Sequence, residues 1–573
     1  MTSSPPIVWS IAGLDTAGGA GLSADQRAAD ALGVHLCPVA AALTAQHSQG
    51  VAAVWPVPPD PLQAQLQALA EDMPPSVIKT GLLGSVAAVR LVAQCVDHFR
   101  ASTPPGQDPH RQLALVVDPV LGASAGGAAF ADDDVRQAYR QWLLPRATVL
   151  TPNRAEARLL LQQAGGHGGP RDTLPALAAA LRTLGARSVV ITGGDAPDEV
   201  PSPHGQAWCL DWLDTPQAQG WLCAPRLDAP HHHGSGCTFA SGVAGAWALG
   251  HADADAIVLA HMLTRQALAQ GHAAGRGAGP VQARAGFAAG PARGGAPLPW
   301  LGLGTDLPWQ LSLGTPSASD NPAPPGTPRT PPLFAPFTPP TDGLYGILPD
   351  HALLQSALAA GLRCVQLRHK HPASLQALQA QLDASLADAA QAGAQLFVND
   401  HWRAALTLPP RMATEAGFRL GVHLGQEDLQ ALSPDDRARL LAERDRIMLG
   451  LSSHSLWELA RAAGCGASLI ACGPVQATTT KDMPWQPQGE DNLRWWLAHS
   501  PAPVVAIGGL LTPADVRRFA ACQPAAVCVV RGLGLNAAAM QAAVPALRSA
   551  VKLGRSEIGT TQVHDPDLPH PVL

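Results

Sequence analysis

Short apolar runs recur eight times between residues 342 and 551. Ala- and Leu-rich stretches with helical spacing separate most of them, for example Leu375–Ala392 and Pro513–Ala521. Parallel strands that are buried on both faces read as continuous apolar runs, so each run is a candidate strand. Eight strand–helix units in about 210 residues are typical of a (β/α)8 TIM barrel. The candidate strands are Leu344–Leu348, Arg363–Leu367, Leu396–Val398, Leu420–Leu424, Ile447–Leu451, Ser468–Ala471, Val504–Ile507 and Ala526–Val530.

The N-terminal part of the chain also alternates apolar runs with helical stretches. This alternation is typical of an open, mostly parallel sheet that is covered by helices. The fold class predicted for the whole chain is therefore α/β, with an N-terminal α/β sandwich and a C-terminal barrel. The candidate strands of the sandwich are Ile7–Ile11, Val77–Lys79, Leu113–Val117, Thr148–Leu150 and Ser188–Ile191.

Between residues 288 and 341 the composition shifts to Pro, Gly, Ser and Thr, as in NPAPPGTPRTPPLFAPFTPP. Such a stretch is expected to form a semi-extended linker without regular elements. The predicted organisation is then a first domain at 7–287, a linker at 288–341, the barrel at 342–551 and a disordered tail at 552–573.

Composition narrows the classes of function. The 573-residue chain is too long for one core, its net charge is −6, and it has no run of Lys or Arg, so we expect no nucleic-acid partner. Its ten scattered cysteines include no C-x-x-C pair, which favours buried thiols in a reducing compartment over disulfides or structural zinc. Without a signal-peptide pattern or an apolar run of about 18 residues, we expect no membrane and a cytoplasmic location.

Polar residues follow the candidate strands of the barrel where each strand ends. In TIM barrels the active residues lie at this C-terminal end. Because nearly every polar cluster of this half falls there, we predict an active site at that end. The clusters are Arg368 and Lys370, Asn399 and Asp400, His423–Asp428, Ser452, Thr478–Lys481, Gly508 and Gly509, and Arg531 and Gly532.

In the N-terminal part, the turn HGSGCT (233–238) combines glycines with a thiol and precedes a predicted helix at Phe239–Leu249. Unpaired N–H groups and the dipole at a helix N-terminus attract phosphate oxygens. A second Gly-rich bend, Gly13–Gly21, follows the first strand but matches neither the P-loop nor G-x-G-x-x-G. We therefore predict an anion hole formed by Gly234, Gly236 and Cys237.

The motifs AGLDTAGGAGLSAD and HGSGCT together resemble the hydroxymethylpyrimidine/phosphomethylpyrimidine kinases of the ribokinase-like superfamily, over nearly all of residues 7–285. The resemblance implies an ATP-dependent kinase whose Gly-rich bend and Gln46 hold the aminopyrimidine. The substrate side would comprise Gly13, Asp25 and Gln46. The side of ATP and magnesium would comprise Asp118, Asn153, Glu156, Thr192 and Gly194.

Two positions depart from that family. Thr192-Gly193-Gly194 stands where Lys-Gly-Gly is usual, which removes a positive charge from the phosphate side. Cys237 takes the place of the aspartate base of most ribokinase-like enzymes. A thiol with a reference pKa of about 8.5 is a poor base, and positioning with charge neutralisation carries most of phosphoryl transfer. We favour an anion-hole role for Cys237 and leave open whether it adds base catalysis.

Four motifs of the C-terminal part resemble thiamine-phosphate synthase, over residues 343–549: Gln366–Lys370, Val398–Asp400, Val422–Asp428 and Thr478–Lys481. This enzyme joins a pyrimidine diphosphate to a thiazole phosphate and releases pyrophosphate. The resemblance implies Arg368 and Lys481 as catalytic residues and Asp400 and Asp428 as magnesium ligands. The implied substrate contacts are Gln366, Leu367, Arg368, His369, Lys370, Asn399, Ser452, Thr478, Thr479, Thr480, Lys481, Gly509, Val530 and Arg531.

The residue types suit this chemistry. Arg368, Lys370 and Lys481 supply positive charge for a pyrophosphate leaving group, and carboxylates leave magnesium room for phosphate oxygens. No general base is required. His369 and Arg531 depart from the usual Glu and Ser.

The combined hypothesis is a bifunctional enzyme of thiamine biosynthesis that acts on small molecules, and ribokinase-like analogy makes a homo-oligomer an open expectation. Two alternatives stay open: a kinase half that acts on pyridoxal, and a half that binds a ligand without turnover beside an active synthase.

Overall fold

A computed structural model of the chain describes residues 4–102, 112–122, 130–162, 173–194, 207–313, 332–407, 418–478, 485–557 and 566–573. The chain divides into two compact units, with the boundary between Leu307 and Pro308. Within the described residues, no helix is both long enough and apolar enough to cross a membrane.

The N-terminal unit is built on a ten-stranded sheet with the order β10-β9-β8-β7-β6-β5-β4-β1-β2-β3. Six neighbouring strands, from β7 to β2, run parallel, and the pairs at both edges are antiparallel. The prediction of an open, mostly parallel sheet is confirmed. The strands are β1 Ile7–Leu14, β2 His35–His47, β3 Gly50–Pro56, β4 Val77–Thr80, β5 Ala114–Val117, β6 Val149–Leu150, β7 Ser188–Ile191, β8 Trp208–Asp214, β9 Gln219–Pro225 and β10 Trp300–Leu301.

Helices pack on this sheet. A core of buried side chains such as Leu62, Val89 and Leu177 joins the sheet to the helices from α2 to α6, while α7 packs against α1, α8 and the central strands. The helices are α1 Gly21–Leu32, α2 Pro59–Asp72, α3 Val86–Ala101, α4 Asp133–Ala138, α5 Arg154–Leu161, α6 Leu174–Thr183, α7 Ser235–Ala248 and α8 Asp253–Ala269.

Small residues let α7 approach its neighbours closely. A Cβ atom added to Gly242 would lie 3.1 Å from the Cα of Ala260, and one added to Gly245 would lie 2.6 Å from Cδ1 of Leu32. Close packing of this kind leaves little freedom for a helix to shift. It therefore fixes the N-terminal end of α7, where Cys237 lies.

The C-terminal unit contains a closed barrel of eight parallel strands, which confirms the predicted TIM barrel. Its interior is filled by side chains that include Tyr345, Phe397 and Leu469. Each strand overlaps one predicted apolar run. They are β11 Leu344–Leu348, β12 Cys364–Leu367, β13 Gln395–Asn399, β14 Arg419–Leu424, β15 Met448–Ser453, β16 Leu469–Cys472, β17 Val504–Ile507 and β18 Ala526–Val529.

The helices of this unit cover the barrel and follow most of its strands. They are α9 Trp309–Leu313, α10 His351–Ala359, α11 Leu375–Gln391, α12 Trp402–Ala405, α13 Gln426–Gln430, α14 Pro434–Ala442, α15 Leu456–Gly464, α16 Gly489–His499, α17 Pro513–Ala520 and α18 Ala537–Ser556.

The first half of the predicted linker has regular structure, so the prediction for 288–341 is wrong over 288–313. Strand β10 pairs with β9, and the Trp300 ring stacks on Trp208 with 5.2 Å between centroids. Helix α9 follows, and Trp309 is buried. Apolar side chains among the prolines supply the packing that the composition alone does not reveal. Residues 314–331 lie outside the described residues.

The predicted disordered tail at 552–573 also needs correction. Helix α18 continues to Ser556. The described residues 566–573 contact the region of α16, where the N–H of His570 donates to Asn492 Oδ1 at 2.9 Å and the N–H of Gln486 donates to the carbonyl of Val572 at 2.8 Å. Val572 is buried, so apolar contact and hydrogen bonds together order this end. Residues 558–565 lie outside the described residues.

Candidate active sites

The Gly-rich bend between β1 and α1 wraps around the carboxylate of Asp15. Its oxygens accept hydrogen bonds from the backbone N–H groups of Ala17, Gly19 and Ala20 at 2.8–3.0 Å. Burial raises the pKa of Asp15, but the hydrogen bonds from His233 and from the backbone outweigh burial, so the net pKa is lowered. The bend is thus ordered around a carboxylate that the sequence analysis did not single out.

His233 joins the two Gly-rich segments. Its Nε2 lies 2.9 Å from Asp15 Oδ2 and 3.2 Å from Gln46 Nε2. The contact requires glycine at two positions, since a Cβ on Gly19 would lie 2.1 Å from Cδ2 of His233, and one on Gly234 would lie 2.1 Å from the carbonyl oxygen of Gly19. Gly234 also has φ of +84°, which favours glycine. The predicted substrate residue Gln46 therefore belongs to one cluster with the HGSGCT turn.

Helix α7 begins at Ser235, not at the predicted Phe239, with Gly234 as its N-cap. Gly236 and Cys237 therefore lie in the first turn of the helix, where backbone N–H groups lack intrahelical partners. Burial raises the pKa of Cys237 to about 12, against the lowering effect of Lys79 and of a hydrogen bond from the Gly21 N–H. The Cys237 sulfur is accordingly a thiol at neutral pH.

A buried ion pair lies beneath this turn. Lys79 Nζ is 2.9 Å from Asp25 Oδ1 and 3.8 Å from Asp118 Oδ2, and the hydroxyls of Ser10 and Ser241 donate to Asp25 at 2.6 and 2.8 Å. Burial lowers the pKa of Lys79, but the neighbouring groups, Asp25 first among them, together outweigh burial, so the net pKa is raised and the ammonium stays charged. The Asp25 side chain has no exposed surface and holds Lys79, and its contact with substrate stays a prediction.

Asp118 follows β5 and faces the same region. Its Oδ2 is buried and accepts no hydrogen bond from the described residues, although Lys79 lies 3.8 Å away. Burial raises the pKa of Asp118 to about 6, with Lys79 opposing the rise. A buried carboxylate oxygen without a hydrogen bond is suited to a cation.

The predicted nucleotide residues meet where β6 and β7 end. Asn153 and Glu156 form a capping box at the start of α5, because each side chain accepts the backbone N–H of the other at 2.9 Å. The N–H of Thr192 donates to the Pro152 carbonyl at 3.0 Å. The N–H of Gly193 donates to Asp211 at 2.8 Å. Gly194 comes next, at the surface.

Arg154 lies beside this loop and was not predicted as a site residue. A Cβ added to Gly193 would lie 3.0 Å from its Nη2 atom. A cation therefore stands next to the loop whose expected lysine is replaced by Thr192. No sequence motif marks Arg154, since it follows Asn153 as an ordinary first-turn residue of α5.

In the barrel, four predicted or neighbouring residues form a chain of hydrogen bonds across three adjacent strands. Tyr345 Oη donates to Gln366 Oε1 at 2.8 Å, Gln366 Nε2 donates to Asn399 Oδ1 at 3.0 Å, and Asn399 Nδ2 donates to Asp400 Oδ1 at 2.7 Å. Asp400 follows β13 with φ of +64°, a left-handed conformation that is uncommon for aspartate. Gln366, Asn399 and Asp400 were predicted as site residues from the sequence, whereas Tyr345 was not.

The cationic side of the barrel site follows β12. Arg368 Nε lies 4.0 Å from Asp400 Oδ2. This Nε atom is buried and has no hydrogen-bond partner among the described residues. Leu367, the last residue of β12, is buried. His369 Nδ1 lies 2.9 Å from the Pro349 carbonyl, and Lys370 is exposed. An arginine group next to an acidic residue and open on one side is suited to a phosphate oxygen.

Ser452, at the end of β15, is held from two sides. Its hydroxyl oxygen lies 3.0 Å from His423 Nε2, and its carbonyl accepts the Gln426 Nε2–H at 2.8 Å. Burial lowers the pKa of His423 to about 4, helped by Arg368 and His454, so the ring is neutral. His423 and Gln426 belong to the predicted strand-end cluster, but the sequence assigned neither a role.

Asp428 closes the first turn of α13, where its Oδ2 accepts the Gly425 N–H at 3.0 Å. Within the described part of the chain, no three His, Cys, Asp or Glu residues converge as a ready metal site. Any magnesium in the barrel would therefore need substrate oxygens to complete its coordination.

Two glycines shape the opposite side of the barrel mouth. Gly508 and Gly509 have φ of +99° and +77°, and a Cβ on Gly509 would lie 2.6 Å from Cβ of Gln476. The chain after β16, which leads to Thr478, therefore packs against the end of β17. Val530 and the exposed Arg531 follow β18. The predicted residues Thr479, Thr480 and Lys481 lie outside the described residues.

Comparisons with known proteins agree with this division. A family profile described as phosphomethylpyrimidine kinase matches residues 15–282, and one described as thiamine monophosphate synthase matches residues 344–533. The hydroxymethylpyrimidine/phosphomethylpyrimidine kinase of Streptomyces coelicolor is 36% identical over 277 residues, which are 48% of this chain and 94% of that protein.

A relative that spans both halves is the chloroplastic thiamine biosynthetic bifunctional enzyme of Arabidopsis thaliana. It is 30% identical over 518 residues, which cover 88% of this chain and 85% of the relative. Among solved structures, the pyridoxal kinase from Staphylococcus aureus in complex with AMP-PCP is 27% identical, with a TM-score of 0.42 and coverage of 49% of this chain and 94% of that chain.

The full-length relative favours the bifunctional hypothesis over the pyridoxal and non-catalytic alternatives, because both halves match in one chain and in the same order. The strand order confirms the predicted α/β sandwich and the barrel, and the relative that spans both halves confirms the bifunctional activity. The chain belongs to the family of bifunctional thiamine-biosynthetic enzymes, in which a hydroxymethylpyrimidine/phosphomethylpyrimidine kinase is fused to a thiamine-phosphate synthase.

Proposed function

We propose that the two sites described above carry the two reactions of this family, with ATP as the phosphoryl donor. The kinase unit phosphorylates the hydroxymethyl oxygen of the pyrimidine and then the resulting phosphate. The barrel joins the diphosphate to thiazole phosphate. The observation that supports this most strongly is the meeting of both Gly-rich segments at His233, beside Gln46 and the first turn of α7.

In the kinase site, the substrate oxygen forms a bond to the γ-phosphorus of ATP while the bond to the bridging oxygen breaks and ADP leaves. The Gln46 amide, fixed by His233, reads the edge of the pyrimidine ring. The N–H groups at the start of α7 receive the charge that develops on the transferred phosphoryl group.

We assign Cys237 to this anion hole as a donor and not as a base. Its raised pKa, about 12, keeps the proton on sulfur at neutral pH. The second transfer starts from a phosphate, which carries negative charge already and needs no base. In the first transfer, the hydroxyl proton passes to an oxygen of the transferred phosphoryl group or to water.

The residues present fit magnesium at both sites. Asp118 offers a buried oxygen without a hydrogen-bond partner among the described residues, and Asp400 and Asp428 offer carboxylates in the barrel. One or two carboxylates together with substrate phosphates are the usual ligands of magnesium. When bound, the ion neutralises phosphate charge. Asn153 and Glu156 orient the start of α5 toward the nucleotide side.

In the barrel, the bond between the methylene carbon of the pyrimidine and the diphosphate oxygen breaks, and its electron pair leaves with pyrophosphate. The thiazole nitrogen then forms the new C–N bond to that carbon. Arg368 and the N–H groups of Gln366 and Asn399 stabilise the departing charge. Ser452 contacts the diphosphate, and Thr478, Gly509 and the Val530–Arg531 turn line the thiazole-phosphate side. The proposed substrate contacts also include Lys370, Thr479, Thr480 and Lys481.

We further place the protein in the cytoplasm. The ten cysteines are all free thiols, most of them buried, which suits a reducing compartment.

A coupled assay on the full chain tests the proposal. Hydroxymethylpyrimidine, thiazole phosphate, ATP and magnesium are supplied, and thiamine phosphate is measured. Cys237→Ala should slow formation of the pyrimidine diphosphate, and added pyrimidine diphosphate should restore product. Asp400→Ala should block product in both cases.

The two variants separate the two sites. Rescue of Asp400→Ala by the diphosphate, or no rescue of Cys237→Ala, would contradict the assignment of sites to steps. A wild-type chain that binds pyrimidine but forms no diphosphate with ATP and magnesium would support the non-catalytic alternative for the kinase unit.

A further inference from the structure

The hydrogen-bond chain in the barrel has one possible direction. A carboxylate only accepts hydrogen bonds, so the Asn399 atom that faces Asp400 at 2.7 Å must be the amide nitrogen. The Asn399 oxygen then faces Gln366, which must donate through Nε2 at 3.0 Å. The Gln366 oxygen therefore faces Tyr345, and the phenol must be the donor at 2.8 Å.

Tyr345 is the inner end of this chain. Its side chain is only 2% exposed, and its ring packs within the barrel core, 5.6 Å from the ring of Phe397. Burial raises the pKa of the Tyr345 phenol well above its ordinary value, so the hydroxyl keeps its proton. The Tyr345 hydroxyl is thus a hydrogen-bond donor that lies below two amides at the mouth of the barrel.

We propose that Tyr345 is a positioning residue for the diphosphate: its hydroxyl fixes the amides of Gln366 and Asn399 so that both turn N–H groups, not oxygens, toward the substrate. Each amide nitrogen carries two hydrogens, and the chain uses one of each. The second hydrogen of each remains for an anionic oxygen. This inference rests on the proposed function of the barrel.

Loss of the hydroxyl removes the inner constraint. Gln366 is 2% exposed, and its side-chain oxygen would lose the hydrogen bond that the Tyr345 hydroxyl donates. A half-turn of the amide about its last bond would then be less disfavoured, and in that orientation the amide would present its oxygen to the diphosphate. Tyr345→Phe keeps the ring that fills the core, so packing is retained and the orientation of the amides is what changes.

The experiment measures binding of inorganic pyrophosphate to the full chain by calorimetry, at a fixed magnesium concentration. Tyr345→Phe should weaken binding about three- to tenfold, the factor for one neutral hydrogen bond. In a Gln366→Ala background the same change should have no further effect, because the hydroxyl donates to the Gln366 amide and reaches Asn399 through it. Asp400→Ala reports any pyrophosphate that binds elsewhere on the chain.

The chain offers a matched control. Its only other tyrosine, Tyr139, is also buried, and its hydroxyl donates to the Gly81 carbonyl in the N-terminal unit. Tyr139→Phe should leave pyrophosphate binding in the barrel unchanged. Thermal unfolding of each variant, with the wild type beside it, shows that the compared proteins are folded at the assay temperature.

An equal loss from Tyr345→Phe in the wild-type and Gln366→Ala backgrounds would overturn the proposal, because it would show an effect on packing alone. No loss in the wild-type background would overturn it as well. Failure of the proposed function is distinguishable, since it would appear as a wild-type chain that converts no pyrimidine diphosphate to thiamine phosphate, whatever the binding result.

Discussion

The imidazole Nε2 of His423 lies 3.0 Å from the hydroxyl oxygen of Ser452 and links β14 to β15 at the mouth of the barrel. The ring is neutral because burial lowers its pKa to about 4. Its Nδ1 is buried with no hydrogen-bond partner among the described residues. A buried N–H without a partner is rarer than a buried unpaired acceptor, so the proton belongs on Nε2. His423 then donates to Ser452, and the Ser452 hydroxyl hydrogen remains for the contact with the diphosphate that we propose.

We expect His423→Leu to raise the KM of the synthase for pyrimidine diphosphate about three- to tenfold, the effect of one hydrogen bond. His423→Gln should keep most of the affinity, since its Nε2 can reach the position of the imidazole Nε2. Steady-state kinetics with the diphosphate supplied directly would check both variants. Equal KM values for the two would argue against a donor role.

The stability of the barrel should fall as the solution becomes acidic, because of the same histidine. The folded-state pKa of about 4 lies below the unfolded value of about 6.5, so the unfolded chain takes up a proton first. The contribution is complete above pH 6.5, falls between pH 6.5 and 4, and amounts to about 3 kcal/mol. Urea unfolding at several pH values would show wild type losing stability relative to His423→Gln across this window. A constant difference would contradict the assignment.

Buried apolar runs predicted the parallel strands well because burial on both faces leaves a signal that any local window contains. Val77–Thr80 and Ser188–Ile191 are buried at every position. Strands β2, β3 and β8 to β10 were missed, because exposed or polar positions interrupt the longer of them, as in His35–His47, Gly50–Pro56 and Trp208–Asp214. A half-exposed strand has no such continuous run.

Site residues were predictable where a motif itself carries the geometry. Asn153 and Glu156 are three residues apart, the spacing of a capping box, and the structure forms that box. The role of Asp25 was not predictable, because its partner Lys79 is 54 residues away and only burial makes them a pair. The role of Tyr345 was not predictable for the same reason, because the local sequence pattern does not distinguish it from the other core residues of its strand.

Lys79→Met should destabilise the kinase unit by about 3–5 kcal/mol, since it leaves the buried Asp25 carboxylate without its cation. Kinase activity should fall with it, while synthase activity on supplied diphosphate should persist at temperatures below unfolding. Chemical denaturation and the two separate assays would measure these effects. Adding Asp25→Asn should recover part of the stability, and no recovery would show that Asp25 is not the group left unpaired.

Gly19→Ala should disable pyrimidine binding. The new methyl group would overlap the His233 ring, 2.1 Å from Cδ2, and would displace the imidazole from Asp15 and Gln46. We expect kcat/KM for hydroxymethylpyrimidine to fall about ten- to a hundredfold, as for other small displacements of positioning groups. Gly50→Ala is the matched control, because a Cβ there meets no atom within 4 Å. Similar losses in both variants would rule out the His233 contact as the cause.

Arg154 should supply the positive charge that Thr192 lacks. Its Nη2 would lie 3.0 Å from a Cβ on Gly193, in the loop where a lysine is usual. We expect Arg154→Ala to raise the KM for ATP about ten- to a hundredfold, the range for hydrogen bonds to charged groups. Thr192→Lys in the same chain should restore much of the affinity, because it returns a cation to that loop. Initial rates against ATP concentration would measure both effects, with the KM for the pyrimidine as an internal control. If Arg154→Ala leaves the ATP dependence unchanged, or if Thr192→Lys fails to rescue it, the arginine does not replace the lysine.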